Sequence, residues 1–323
     1  KVSLFSGLNN LQDLTLDSRY ATICGYTQHD LETVFVEHLP GVDLDELKRW
    51  YNGYSFVGDP VYNPFDVLLY LDQKKFKNFW FETGTPTFLI DLLSQKQFSV
   101  PRLENLIVDE SLLGKFDVEQ IELEALMFQT GYLTIKEQKQ VGGAIMYELT
   151  LPNLEVKMSF TDCILDYLCS VPSEKSLGKQ KLFQALSTGT PSSFQEIFHS
   201  FFASIPHDWY RKNDLAGYEG YYASIFYCYF TALGLDVVAE DATNKGKIDM
   251  RVRLDNRIFL FEFKVVELTP AGKPLVQLKE KRYHEKFLSS NCEIFLVGIE
   301  FSKNNRNIVS YEWEQVQTTL PAK

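Results

Sequence analysis

Between Ile248 and Val266 the order of apolar and polar residues changes from alternation to a nearly unbroken apolar run. Ile248, Met250, Val252 and Leu254 alternate with polar neighbours, Asp255-Asn256 interrupts them, and Ile258–Val266 is rich in β-favouring residues. This pattern predicts two strands joined by a tight turn. On the second strand, the period of two sets Ile258, Leu260, Glu262 and Lys264 on one face and Phe259, Phe261, Phe263 and Val265 on the other.

The flanking patterns predict the rest of this region. A wide apolar stripe of Tyr222, Ile225, Phe226, Tyr229, Phe230 and Leu233 predicts a helix from Asp214 or Leu215 to Leu233, stopped by Gly234. A strand over Leu235–Ala239, a helix over Pro274–Leu288 and a near-central strand over Glu293–Gly298 complete the order α-β-β-β-α-β. Residues 299–323 read as a β extension.

Upstream, helical spacing marks Asp30–Leu39, Leu44–Tyr51, Phe65–Leu71 and Phe88–Leu93, punctuated by Asn52-Gly53, Asn63-Pro64 and Thr85-Pro86. A helix from Val118 to about Gln129 is broken by Gly131. After it, Tyr132–Ile135 and Met146–Leu151 alternate like a hairpin around Gly142-Gly143. Helix then hairpin resembles a winged-helix unit, and its acidic surroundings favour a packing or lid module. Residues 161–205 read as helices running through Pro172 and Pro191. The expected fold is therefore multidomain α+β: 1–160 mostly helical with the winged-helix-like unit, 161–205 a helical bridge, and 206–323 an αβββαβ domain.

Charge sharpens this division. The formal net charge is −11, yet residues 1–205 hold 16 basic and 27 acidic side chains whereas 206–323 hold 16 of each. The acidic excess lies wholly in the first part, so a local basic face in the second stays compatible with a polyanionic partner. Five scattered cysteines without a C-x-x-C pair suggest a reducing, cytoplasmic setting with neither a zinc site nor a disulfide framework. Tyr221–Leu235 is uncharged but shorter than the ~20 residues a spanning helix needs, so it reads as a buried helix and no membrane partner is expected. The chain starts at Lys1 without a signal-peptide pattern, which suggests a fragment of a longer protein.

Chemistry enters with the charges inside the apolar strand. Each buried ion costs several kcal/mol (order of magnitude), so Glu262 and Lys264 need a compensating arrangement. A structural Glu-Lys pair is one. The other adds Asp249 from the neighbouring strand, giving two hard carboxylates beside a lysine, a seat suited to Mg²⁺ or Mn²⁺.

Asp249 followed by Glu262-Phe263-Lys264, with Gly246 before it, Glu219 upstream and Gln277 and Tyr283 downstream, resembles the D…(E/D)-x-K signature of the PD-(D/E)XK nuclease superfamily. The resemblance implies a restriction-endonuclease-like fold and Mg²⁺- or Mn²⁺-dependent hydrolysis of DNA, whether duplex, branched or single-stranded. It implies Asp249 and Glu262 as metal ligands, Glu219 as a third ligand or water-orienting acid, and Lys264 as a catalytic cation. Gln277 would steady Lys264 or the phosphate. From its position alone, Glu219 is as readily an exposed acid in a first helical turn.

On the Pro274–Leu288 helix, Gln277, Lys281 and His284 fall on one face while Leu275, Leu278 and Phe287 face the sheet. That polar face is either simply solvated or, together with Lys273, a phosphate-backbone surface.

The segments 3–17, WYNGYSF (50–56), VYNPFDVL (61–68), FWFETGTPTFLI (79–90), LMFQTGYLTI (126–135) and LPNLEVKMSF (151–160) resemble the C-terminal part of an AAA-ATPase-like domain that commonly precedes this nuclease type in bacterial and archaeal proteins. No G-x-x-x-x-G-K-[ST] occurs, and Gly178-Lys179 lacks the flanking residues that cradle phosphates, so ATP is not expected as a ligand. A homo-oligomer or an upstream ATPase module remain as partners. The alternative function is a catalytically silent nuclease-fold module that binds nucleic acid or regulates such an ATPase. No G-x-S-x-G supports a serine hydrolase.

Overall fold

The computed structural model describes residues 12–81, 87–95, 99–114, 122–169, 172–205, 219–267, 269–270 and 273–317. The anticipated 206 boundary, the start of the helix expected from 214, and the first residues of the one expected from 118 lie outside them. The chain divides into two compact units, residues 1–96 with 102–160, and residues 97–101 with 161–323. The described residues form a mixed α and β structure with two sheets.

The first unit contains α1 (Gln28–Val34), α2 (Leu44–Tyr51), α3 (Pro64–Gln73), α4 (Thr87–Gln95), α5 (Glu110–Gly114) and α6 (Leu123–Gln129). Polar caps start these helices where the sequence changes phase. Thr27 and Asp30 form a reciprocal capping box, Asp43 accepts from the Asp45 and Glu46 amides, and Asn63 accepts from the Phe65 amide with Pro64 at the first helical position. Their apolar faces enclose Leu31, Leu47, Tyr51, Tyr62, Val67, Tyr70, Leu71 and Phe79.

The hairpin after α6 is β2 (Thr134–Val141) with β3 (Ala144–Thr150), and β1 (Leu106–Asp109) adds to the far side of β3, giving the order β1-β3-β2. α7 (Leu154–Leu168) begins in the first unit and ends in the second.

The second unit contains α8 (Pro172–Thr188), α9 (Ser192–Ser204), α10 (described from Glu219 to Thr231) and α11 (Pro274–Lys281). Its five-stranded sheet runs β4 (Asp236–Thr243), β5 (Gly246–Leu254), β6 (Arg257–Val266), β7 (Glu293–Ser302) and β8 (Asn307–Gln315), in that spatial order. All neighbours are antiparallel except β6 and β7, which are parallel and linked through α11. The β5–β6 turn sits at Asp255-Asn256, with Asp255 in the left-handed region at φ 51°. β8 gives bounds to the extension expected after residue 299.

β6 is the middle strand and is covered on both faces, which explains its almost continuous apolar run. One face, with Ile258 and Leu260, packs with Ile248, Ile294, Leu296, Leu278 and Tyr283. The opposite face is aromatic. Phe259 and Phe261 meet Phe194 of α9, and Phe261 and Phe263 meet Phe226 of α10.

The 161–205 segment, anticipated as a bridge, supplies α8 and α9 to this unit. Phe194, Phe198 and Phe202 recur every fourth residue and interlock with α10 and with Phe301 of β7, so α9 is a layer of the core. Helical periodicity states that a face is apolar but not what it meets. α10 is buried from Tyr221 to Thr231 apart from Ala223, with no solvent face to read, which is why its sequence mimics a membrane segment. Among the described residues no helix is long and apolar enough to cross a membrane.

Candidate functional site

The β5–β6 ladder runs from the turn to Met250 opposite Phe261 and stops there. The next position would set Asp249 opposite Glu262. Where backbone pairing ends, an inner amide loses its partner, and the Asp249 side chain replaces it: Oδ2 accepts from the Phe263 N–H at 2.7 Å. Asp249 is thus fixed across the gap between two parting strands, beside the acid of the neighbouring strand. Burial raises its pKa, opposed by that amide bond and by Lys264.

Glu262 is 1% exposed. Its Oε1 lies 3.4 Å from Lys264 Nζ and accepts a hydrogen bond from Gln277 Nε2, while Oε2 has no partner among the described residues. Burial, then the nearby Asp249 charge, pushes the Glu262 carboxyl up to about 8 despite the opposing Lys264. Lys264 Nζ also stands 3.9 Å from Oε1 of Glu219, the first described residue of α10. Burial works against its ammonium, but Glu219, Asp249 and Glu262 outweigh it and hold its pKa above the ordinary lysine value. Burial likewise raises Glu219, against the pull of Lys264.

Gln277 reaches Glu262 because α11 lies almost on the backbone of β7. A Cβ at Gly298 would fall 2.4 Å from the Leu275 amide nitrogen, a contact only glycine permits. Gly298→Ala is expected to lift α11 from the sheet, cost about 1–3 kcal/mol of stability and carry Gln277 away from Glu262. A lowered denaturant midpoint with an unchanged slope is the measurement that checks it.

Of the predicted residues, the structure brings Glu219, Asp249, Glu262, Lys264 and Gln277 together. It separates the other three. α11 ends at Lys281 because Arg282 adopts the left-handed conformation, φ 51°, and a 3-10 segment Tyr283–Ser290 follows. The expected Pro274–Leu288 helix therefore turns at Arg282, and Gln277, Lys281 and His284 do not share one face. Gln277 points into the sheet at Glu262, and Lys281 is exposed. His284 is partly buried, its Nδ1 has no partner among the described residues, and burial lowers its pKa. Lys273 precedes α11, and its amide donates to Glu300 Oε1 at 3.0 Å.

The same turn brings in Tyr283, named among the flanks of the signature but given no role there. Tyr283 is buried, and its hydroxyl lies 2.8 Å from where a Cβ would stand on Gly246, whose φ of 138° itself favours glycine. Burial, then the charges of Glu262 and Asp249, raises its pKa, and Gln277 works against the rise. The signal is the pairing of Gly246 with a downstream tyrosine, which the sequence shows as two residues without a contact.

Among the described residues no three Asp, Glu, His or Cys side chains form a ready metal cage. The donor set nevertheless suits a hard divalent ion. It offers the unpartnered, buried Glu262 Oε2 and the adjacent Asp249 carboxylate, and such an ion completes its shell with water and phosphate oxygens.

Residues 217–311 match the model of the PD-(D/E)XK nuclease superfamily, a span that contains every residue of this cluster. A protein of Azotobacter chroococcum mcd 1, described as an uncharacterized protein in the vnfD 5' region, is 51% identical over 318 residues, which cover 98% of this chain and 61% of that protein. The chain therefore spans about three fifths of that relative's length. No solved structure matches the chain.

Proposed function

We propose, from a PD-(D/E)XK nuclease superfamily domain at residues 217–311, that the second unit hydrolyses phosphodiester bonds in DNA with the help of a divalent cation. One observation carries the reading: at the end of the β5–β6 ladder, Asp249, the buried Glu262 and Lys264 lie together, with Gln277 bonded to Glu262. The Asp249 and Glu262 carboxylates, with the Phe263 carbonyl, would hold Mg²⁺ or Mn²⁺. When bound, the ion supplies Lewis-acid polarisation of a phosphate oxygen and a lowered pKa for water.

The protein groups do the rest. Gln277 fixes the Glu262 carboxylate. Lys264 orients the attacking water or stabilises charge that grows on the phosphate oxygens, and Glu219 positions the Lys264 ammonium from the opposite side. Exposed Lys281 and Lys273 would add salt-dependent, sequence-blind attraction to the backbone. Asp249→Asn keeps the acceptor for the Phe263 amide but removes the charge. It is expected to abolish Mg²⁺-dependent nicking of plasmid DNA in a protein that melts as the parent does. Nicking at the parental rate overturns the mechanism.

The balance of 16 basic and 16 acidic side chains over residues 206–323 favours a second reading, a silent module that binds nucleic acid or regulates an ATPase-like partner, with the hairpin of the first unit as a packing element. Calorimetric Mn²⁺ titration separates the two, because heat of binding that disappears in Asp249→Asn belongs to the enzyme alone.

A further inference from the structure

The distinctive segments of the first unit converge on a buried acidic pair. Asp66, from VYNPFDVL, and Glu155, from LPNLEVKMSF, are both 0% exposed. Each lies in the first turn of a helix, α3 and α7, behind an asparagine: Asn63 Oδ1 accepts from the Phe65 amide and Asn153 Oδ1 from the Val156 amide. The third segment, FWFETG, supplies backbone donors, for Glu155 Oε1 accepts from the Trp80 amide at 2.8 Å and the Phe81 amide at 3.4 Å. WYNGYSF supplies Tyr54, whose buried hydroxyl has no partner among the described residues, and Tyr51, whose hydroxyl is engaged with Lys77.

Charge and hydrogen bonding do not balance if both acids are ionised. Both Asp66 oxygens and Glu155 Oε2 lack a donor, and neither carboxyl forms an ion pair among the described residues. Burial above all, and the charges of Glu155 and Asp66 with it, raise the pKa values of the Tyr51 and Tyr54 phenols, so neither phenol supplies a countercharge. Two carboxylates repel, but an acid and a carboxylate bond through one proton. Two helix N-termini, each equivalent to roughly half a positive charge, suit the single negative charge that remains.

We propose that Asp66 and Glu155 hold one proton between them at neutral pH, and that its loss to alkaline solvent is the event that loosens the first unit. Burial, then the closeness of Asp66, raises the Glu155 pKa, and burial raises that of Asp66. Folded-state values above the unfolded ones stabilise the protein below the ordinary carboxyl range, and that stability drains away as pH rises through the raised values.

The test uses the full chain. Difference infrared spectra at neutral pH are expected to show a protonated-carboxyl carbonyl band that Glu155→Gln removes. The melting temperature of the first unit's transition is expected to fall between about pH 5 and about pH 9, and to fall less in Glu155→Gln, whose amide oxygen still accepts from Trp80. If that variant does not fold, Asp66→Asn gives the same two readouts. Glu262→Gln is the control for the other raised carboxyl. A band that persists in Glu155→Gln and vanishes only in Glu262→Gln, or a pH slope unchanged by Glu155→Gln and Asp66→Asn, overturns the proposal.

Discussion

Lys264→Met is expected to lower metal-dependent DNA cleavage by about 10²–10³-fold, the loss typical when one preorganised charge-stabilising donor is removed. Methionine keeps the unbranched stem and removes the only cation within 4 Å of Glu262 Oε1 and Glu219 Oε1 among the described residues. Three acids, Glu219, Asp249 and Glu262, then face one another without neutralisation, and the growing negative charge of the transition state has no counterpart. Lys264 is partly exposed, so its loss leaves the apolar layers on either side of β6 in place. Single-turnover cleavage of nicked and supercoiled plasmid by the parent and the variant, at matched melting temperature, measures the effect. A variant within a factor of a few of the parent removes Lys264 from the chemistry.

Phe226→Ala is expected to cost about 3–5 kcal/mol, the range for an aromatic ring removed from a packed core. Phe226 is fully buried and stacks on Phe198 with ring centroids 3.6 Å apart. It also touches Phe263 at 5.1 Å, Phe301 at 6.0 Å and Phe261 at 6.1 Å. A cavity at this point opens between α9, α10 and the sheet, ringed by the bulky aromatic side chains just named, which are close-packed on their other sides. Denaturant unfolding of the second unit's transition reads the change. The effect reaches the site as well, because Phe263 lies between Glu262 and Lys264 on the same strand and its amide is the one that Asp249 holds.

Legibility follows the range of the interactions. The two-residue period of β6 and the Asp255-Asn256 turn are local, and both are plain in the sequence. So are Glu262 and Lys264 as charges demanding an explanation. The Gln277 contact depends on Gly298 admitting α11 to β7, a closeness that no single segment announces. The break at Arg282 has no glycine or proline to mark it, so helical spacing runs straight through it and puts His284 on the wrong face. Phe194, Phe198 and Phe202 are likewise an unmistakable helical stripe whose partners come from later in the chain. Asp66 and Glu155 lie far apart in sequence, and each reads as an ordinary first-turn acid until the fold removes both from water.

Because β6 meets β7 in parallel, the second unit cannot assemble its strands at one pace. β4, β5 and β6 are joined by tight reversals and pair as soon as their short loops close, on the microsecond scale of hairpins. β7 must wait until the whole crossover with α11 has swung over the sheet, at a greater cost in chain entropy. Gln277 and Tyr283 travel with that crossover. A nascent chain therefore displays Asp249, Glu262 and Lys264 on an open three-stranded sheet before their supports arrive, and the cluster is finished only when the last strands dock.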